Sequence, residues 1–150
     1  MRRLFALALL FFAIHADAGG VVVNDASARA TAPGQENATV QLSITSKQDG
    51  RVVRITSSIA DSVEIHSMMH VNGMMKMRAL EFLPLPAGQT VKLGSGGTHV
   101  MLISIKNQLK AGDSVPLSIS VEFADKSKET ISVNAEVKSL TGSHGEHEHH

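Results

Sequence analysis

The sequence predicts an all-β protein, an antiparallel β-sandwich of Greek-key type. Apolar and polar residues alternate in several short stretches, the period of half-buried strands. Turn-forming residues separate those stretches at short intervals. No stretch of useful length repeats its apolar residues with the 3.6-residue period of a helix. About eight such strands suit a Greek-key sandwich, and a chain of 150 residues with no internal repeat suits one domain.

The chain opens on Met1-Arg2-Arg3, followed by 11 apolar residues from Leu4 to Ile14 and then Ala16-Asp17-Ala18. A basic start, a short apolar run and a small-x-small site predict a signal peptide over residues 1–18, cleaved on export out of the cytoplasm. The run is too short to cross a bilayer, which takes roughly 17–25 residues, so no membrane insertion of the mature chain is expected. No Cys follows the run, which argues against a lipid anchor. The folded domain is expected over residues 19–140.

Within it, residues 24–38, with Pro33 and Gly34, read as an irregular lead-in. Strands are expected at 40–45, 52–56, 63–66, 75–80, 90–93, 100–105, 117–123 and 131–137. Gln48-Asp49-Gly50, Asn72-Gly73, Pro84 to Gly88, Gly94 to Gly97, Ala111-Gly112-Asp113 and Ala124-Asp125-Lys126 supply the turns between them. Residues 141–150 have nothing to bury and are expected to be a disordered tail.

Composition removes several functions. Lys plus Arg and Asp plus Glu both number 14, and the pI is near 7.1, so there is no general attraction to nucleic acid or anionic lipid. The absence of Cys excludes disulfide scaffolds, thiolate nucleophiles, Fe–S clusters, Cys-based zinc fingers and blue-copper centres. Trp and Tyr are also absent, which leaves no stacking platform for bases. There is no G-x-S-x-G elbow, no recognisable catalytic carboxylate pair and no Gly-rich loop ahead of a helix, so no enzyme is expected.

The methionines point to a metal. Apart from Met1, all lie between Met68 and Met101: Met68, Met69, Met74, Met75, Met77 and Met101. A core in need of flexible filler would spread them more evenly. His66, His70 and His99 are the histidines of the same zone. Thioethers and neutral imidazoles suit a soft ion of low charge, for which Cu(I) is the natural candidate. Asn72-Gly73 fits a two-residue type I′ turn, which pairs Val71 with Met74, His70 with Met75, Met68 with Met77 and His66 with Ala79. Opposed and alternate residues share a face, so His66, Met68, His70, Met75 and Met77 are expected to project from one side. A three-residue loop would reverse that parity. His99 and Met101, two apart on a later strand, also share a face.

The spacing His66, ten residues, Met77, twenty-one residues, His99-Val100-Met101 resembles the H-x10-M-x21-H-x-M signature of the PCu(A)C periplasmic copper chaperones. The flanking stretches Val63-Glu64-Ile65-His66, Met75-Lys76-Met77-Arg78, Leu85-Pro86-Ala87-Gly88 and Leu109 to Leu117 are similar as well. The resemblance covers residues 22–137. It implies a cupredoxin-like β-sandwich holding one Cu(I) through His66, Met77, His99 and Met101. It further implies delivery of that ion to the copper centre of a haem-copper oxidase, the acceptor being the copper-binding subunit of cytochrome c oxidase or an intermediate copper carrier. The family usually has a Trp in its N-terminal strand and a Tyr in the strand after it. This chain has Ser27 near the first place, no Tyr at all, and Thr98 where the family often has Tyr before the third ligand. These departures bear on strand packing and acceptor recognition, not on the four ligands.

The ligand set itself suits a carrier. Two imidazoles and two thioethers add no negative charge, favour Cu(I) over Cu(II), and escape the oxidation that thiolates suffer outside the cytoplasm. Met68, Met69, Met74 and Met75 read either as a soft rim near the ion or as apolar cover. His144, His147, His149 and His150, interspersed with Glu146 and Glu148, offer harder donors that suit Cu(II), Zn(II) or Ni(II), and read either as a second, Cu(II)-preferring site or as a solvated tail. Besides a chaperone, the sequence admits a periplasmic copper-buffering or resistance protein without a dedicated acceptor, and a plain β-sandwich interaction module.

Overall fold

The computed structural model describes residues 20–94 and 97–140. Both the signal-peptide expectation and the His-rich tail lie outside these residues. Ten strands are present: β1 (Val21–Arg29), β2 (Ala38–Ser46), β3 (Gly50–Thr56), β4 (Ala60–Val71), β5 (Met74–Leu80), β6 (Leu83–Leu85), β7 (Thr90–Leu93), β8 (Thr98–Ile105), β9 (Ser114–Phe123) and β10 (Lys128–Lys138). No helix occurs among the described residues. The all-β class expected from the alternating pattern is the one observed.

The strands pair in the order β5-β4-β8-β2-β1-β10-β9-β3-β6, with β7 also on β2. β2 changes neighbours along its length: Ala38 to Val40 pair with β8, and Leu42 to Thr45 pair with β7. Every pairing is antiparallel except β1 with β10, which run parallel from Ser27↔Glu136 to Arg29↔Lys138. The antiparallel sheet expected from the sequence is therefore observed, with this one parallel junction added to it. Residues far apart in the chain meet at that junction, so no local pattern announces it.

The core follows the alternation. Val40, Leu42 and Ile44 of β2, Val100 and Leu102 of β8, and Val115, Leu117, Ile119 and Val121 of β9 are all buried. Within β3, Val52 and Ile55 both face inward although three residues apart, because the register with β9 slips between Val52 and Arg54. A similar slip occurs in β1. The lead-in expected over residues 24–38 begins as β1, whose register with β2 shifts between Asn24 and Ser27, with Asp25 at φ 55°. The bulge breaks the period of two, so Val21 and Ala28 are buried without a clean alternation between them. β6 was also unforeseen, being three residues long and carrying Pro84 between two buried leucines.

Candidate metal centre

The β4–β5 hairpin forms as its turn chemistry requires. Asn72 and Gly73 have φ of 51° and 77°, the two positive values a type I′ loop needs, and both residue types tolerate them. The register is Val71↔Met74, His70↔Met75, Met68↔Met77 and His66↔Ala79. On its other side β4 pairs with β8, which sets His66 opposite His99 and Glu64 opposite Met101. Opposed residues share a face. The same face therefore carries His66 from β4, Met77 from β5, and His99 with Met101 from β8.

That face is turned away from the core. The alternate residues Ile65, Val100 and Leu102 are buried against the sandwich, which leaves Glu64, His66, His99 and Met101 to project outward. His66, His99 and Met101 are half-buried, and Met77 is 51% exposed. His66 Nδ1 stands 3.0 Å from Met77 Sδ. The His66 and His99 rings meet edge to face, with centroids 5.8 Å apart and planes at 68°. Met101 is two residues from His99 and borders Thr39 of β2.

Glu64, to which the motif assigns no role, belongs to this group. Its Oε2 lies 2.6 Å from His66 Nε2. A carboxylate accepts, so Nε2–H donates to Glu64. In the neutral ring the lone pair of Nδ1 then points at the Met77 sulfur. Both atoms are electron-pair donors on one face, so a cation that took them as ligands would sit beside the pair and not between them. The signal was the period of two: Glu64 stands two residues before His66 and therefore on its face.

Burial against neighbouring groups, and secondarily the charge of His66, pushes the pKa of His99 below its ordinary value. Both effects favour the uncharged ring, the form that ligates a metal. The strand turn before His99 is tied to β4, since Met68 N–H donates to the Gly97 carbonyl at 2.6 Å. Among the described residues no three His, Cys, Asp or Glu side chains cluster as a metal site, and the further donors on this face are the thioethers of Met77 and Met101.

A family model described as "Putative lipoprotein LpqE-like" matches residues 21–137. The chain belongs to the LpqE-like family. A relative from Leifsonia xyli subsp. xyli, named "Putative lipoprotein Lxx21020", is 34% identical over 126 residues, covering 83% of this chain and 74% of that one. Both descriptions contain the word lipoprotein, whereas the 150 residues of this LpqE-like chain include no Cys. Among solved structures, CuI-DR1885 from Deinococcus radiodurans is 29% identical, with a TM-score of 0.58 over 80% of this chain and 78% of that one. The copper-bound PCuAC domain from PmoF2 shares the fold at 18% identity, with a TM-score of 0.62 over 81% of this chain and 94% of that one. The LpqE-like chain thus has the cupredoxin-like β fold of the PCuAC domains, in keeping with the resemblance read from its motifs.

Proposed function

We propose that this protein is a copper carrier that binds one Cu(I) through His66, Met77, His99 and Met101 and passes it to another protein. The observation that carries the reading is the convergence of these four on one outward face of three adjacent strands, with His66 Nδ1 3.0 Å from Met77 Sδ and His99 directly across from His66. The donor set is neutral and soft, as Cu(I) prefers. A relative 29% identical is described as a CuI form. The outward position matters for transfer: Met77 is 51% exposed, so an incoming ligand can displace the thioethers one at a time without unfolding the sandwich. Glu64 holds the His66 ring with Nδ1 toward the ion, the outer-shell carboxylate–histidine arrangement common at metal sites.

The acceptor in this reading is the copper-binding subunit of cytochrome c oxidase, or an intermediate carrier, and the compartment is the periplasm. Support for export comes from the basic start, the apolar run and Ala16-Asp17-Ala18, and from relatives described as lipoproteins. No helix among the described residues is long and apolar enough to cross a membrane.

Anaerobic titration of the full chain with Cu(I), in competition with a chromophoric chelator, tests the ligand set. H66A, M77A, H99A and M101A should each lose more than the roughly 10–100-fold that removal of an outer-shell partner costs, with circular dichroism unchanged. Parental affinity in all four variants would overturn the reading. Mixing the loaded protein with an apo copper domain of the oxidase tests delivery, and an ion that stays in place would favour buffering. Replacing the four tail histidines by Asn should remove one equivalent of bound Cu(II), and unchanged stoichiometry would dispose of the tail site.

A further inference from the structure

The four proposed ligands leave most of the hairpin's soft donors unused. Met68, His70 and Met75 have the parity of His66 and Met77, so they extend the same face toward the turn. A two-residue loop is closed by a hydrogen-bonded pair, here Val71 with Met74. Alternation then makes His70–Met75 and Met68–Met77 non-hydrogen-bonded pairs, whose side chains stand closest in an antiparallel ladder. Met68 is half-buried, but packing does not account for His70 and Met75. Met75 is 54% exposed and His70 is exposed too, beyond the reach of the core. The two cations of β5, Lys76 and Arg78, pair with Met69 and Ser67 and so project from the opposite face. No positive charge of the hairpin therefore competes for an ion on the His70 side.

We propose that Met68, His70 and Met75 form a second Cu(I) site near the hairpin tip. The inference takes its choice of ion from the function proposed above but rests on different ligands. One imidazole and two thioethers give a neutral, soft, three-donor set suited to a cuprous ion and poor for harder divalent metals. The site is more exposed than the first and has one ligand fewer, so it binds more weakly. Met68 pairs directly with Met77, whose sulfur reaches His66. That pair stands between the two sites, and an ion can move from one to the other by ligand exchange with no change of oxidation state.

The test uses the full chain carrying H144N, H147N, H149N and H150N, so that the tail does not contribute. Methionine methyls labelled with carbon-13 are followed by NMR during anaerobic addition of Cu(I). Two equivalents should bind: the first moves the methyls of Met77 and Met101, the second those of Met68 and Met75. H70N/M75L should lose the second equivalent and keep the first, and H99A/M101A should do the reverse. M69L/M74L, on the opposite face, should keep both. The inference is overturned if the second equivalent leaves Met68 and Met75 unmoved, or if H70N/M75L still binds two. Response of Met68 and Met75 with none at Met77 and Met101 would uphold this site while removing the four-ligand one.

Discussion

Glu64→Ala tests whether the carboxylate beside His66 tunes the proposed metal site. The contact is short, 2.6 Å from Oε2 to Nε2, and the His66 side chain is 13% exposed against 46% for Glu64. Loss of an outer-shell partner of a ligating histidine typically costs about 10–100-fold in metal affinity. Water reaches one side of this pair, which screens the charge and puts the expectation at the low end. E64A should therefore weaken Cu(I) binding about tenfold, or about 1.4 kcal/mol. E64Q keeps an oxygen acceptor for Nε2–H while losing the charge, and neutral hydrogen bonds are about half as strong, so a loss of about threefold is expected. The assay is anaerobic competition with a Cu(I) chelator at fixed pH, with the parent and both variants at matched thermal stability. Affinities for E64A within twofold of the parent would refute the reasoning, because His66 would then hold its orientation without help.

Other perturbations separate core from site. Leu102→Ala should cost about 2–5 kcal/mol in urea unfolding, since Leu102 is fully buried, whereas Met77→Ala on the exposed face should stay within about 0.5 kcal/mol. Gly73→Val puts a β-branched residue at φ 77°, in the region that costs L-residues roughly 1–2 kcal/mol; amide exchange in 74–80 should accelerate while exchange in β9 stays slow. His99 gives a pH signature. Its folded pKa lies below the ordinary 6.5, so as the pH falls from there through the folded pKa the unfolded chain binds more protons and apo-protein stability drops, levelling off once both states are protonated. H99Q should flatten that part of the urea-midpoint curve, and an unchanged slope would show that His99 does not contribute.

Much of this molecule is legible in its sequence. The hairpin register depends on two adjacent residues, Asn72 and Gly73, and on the period of two along each flanking strand, both local properties. So does the division of β8 into buried Val100 and Leu102 and outward His99 and Met101. β1 escaped because its bulge at Asn24–Ser27 breaks the alternation that marks a strand, and β6 because three residues are too few to show one.

Sequence by itself determined which face of each strand carries the soft donors, since side-chain direction alternates whatever the strand pairs with. Tertiary structure alone decided which strands lie together. β8 follows β4 after three intervening strands and a turn, yet it pairs with it and brings His99 opposite His66 and Met101 opposite Glu64. That choice belongs to the closing of the sandwich, where burial of Ile65, Val100 and Leu102 in one core selects the neighbour. Hydrophobic burial is non-directional, so it leaves no mark in the spacing of any single segment.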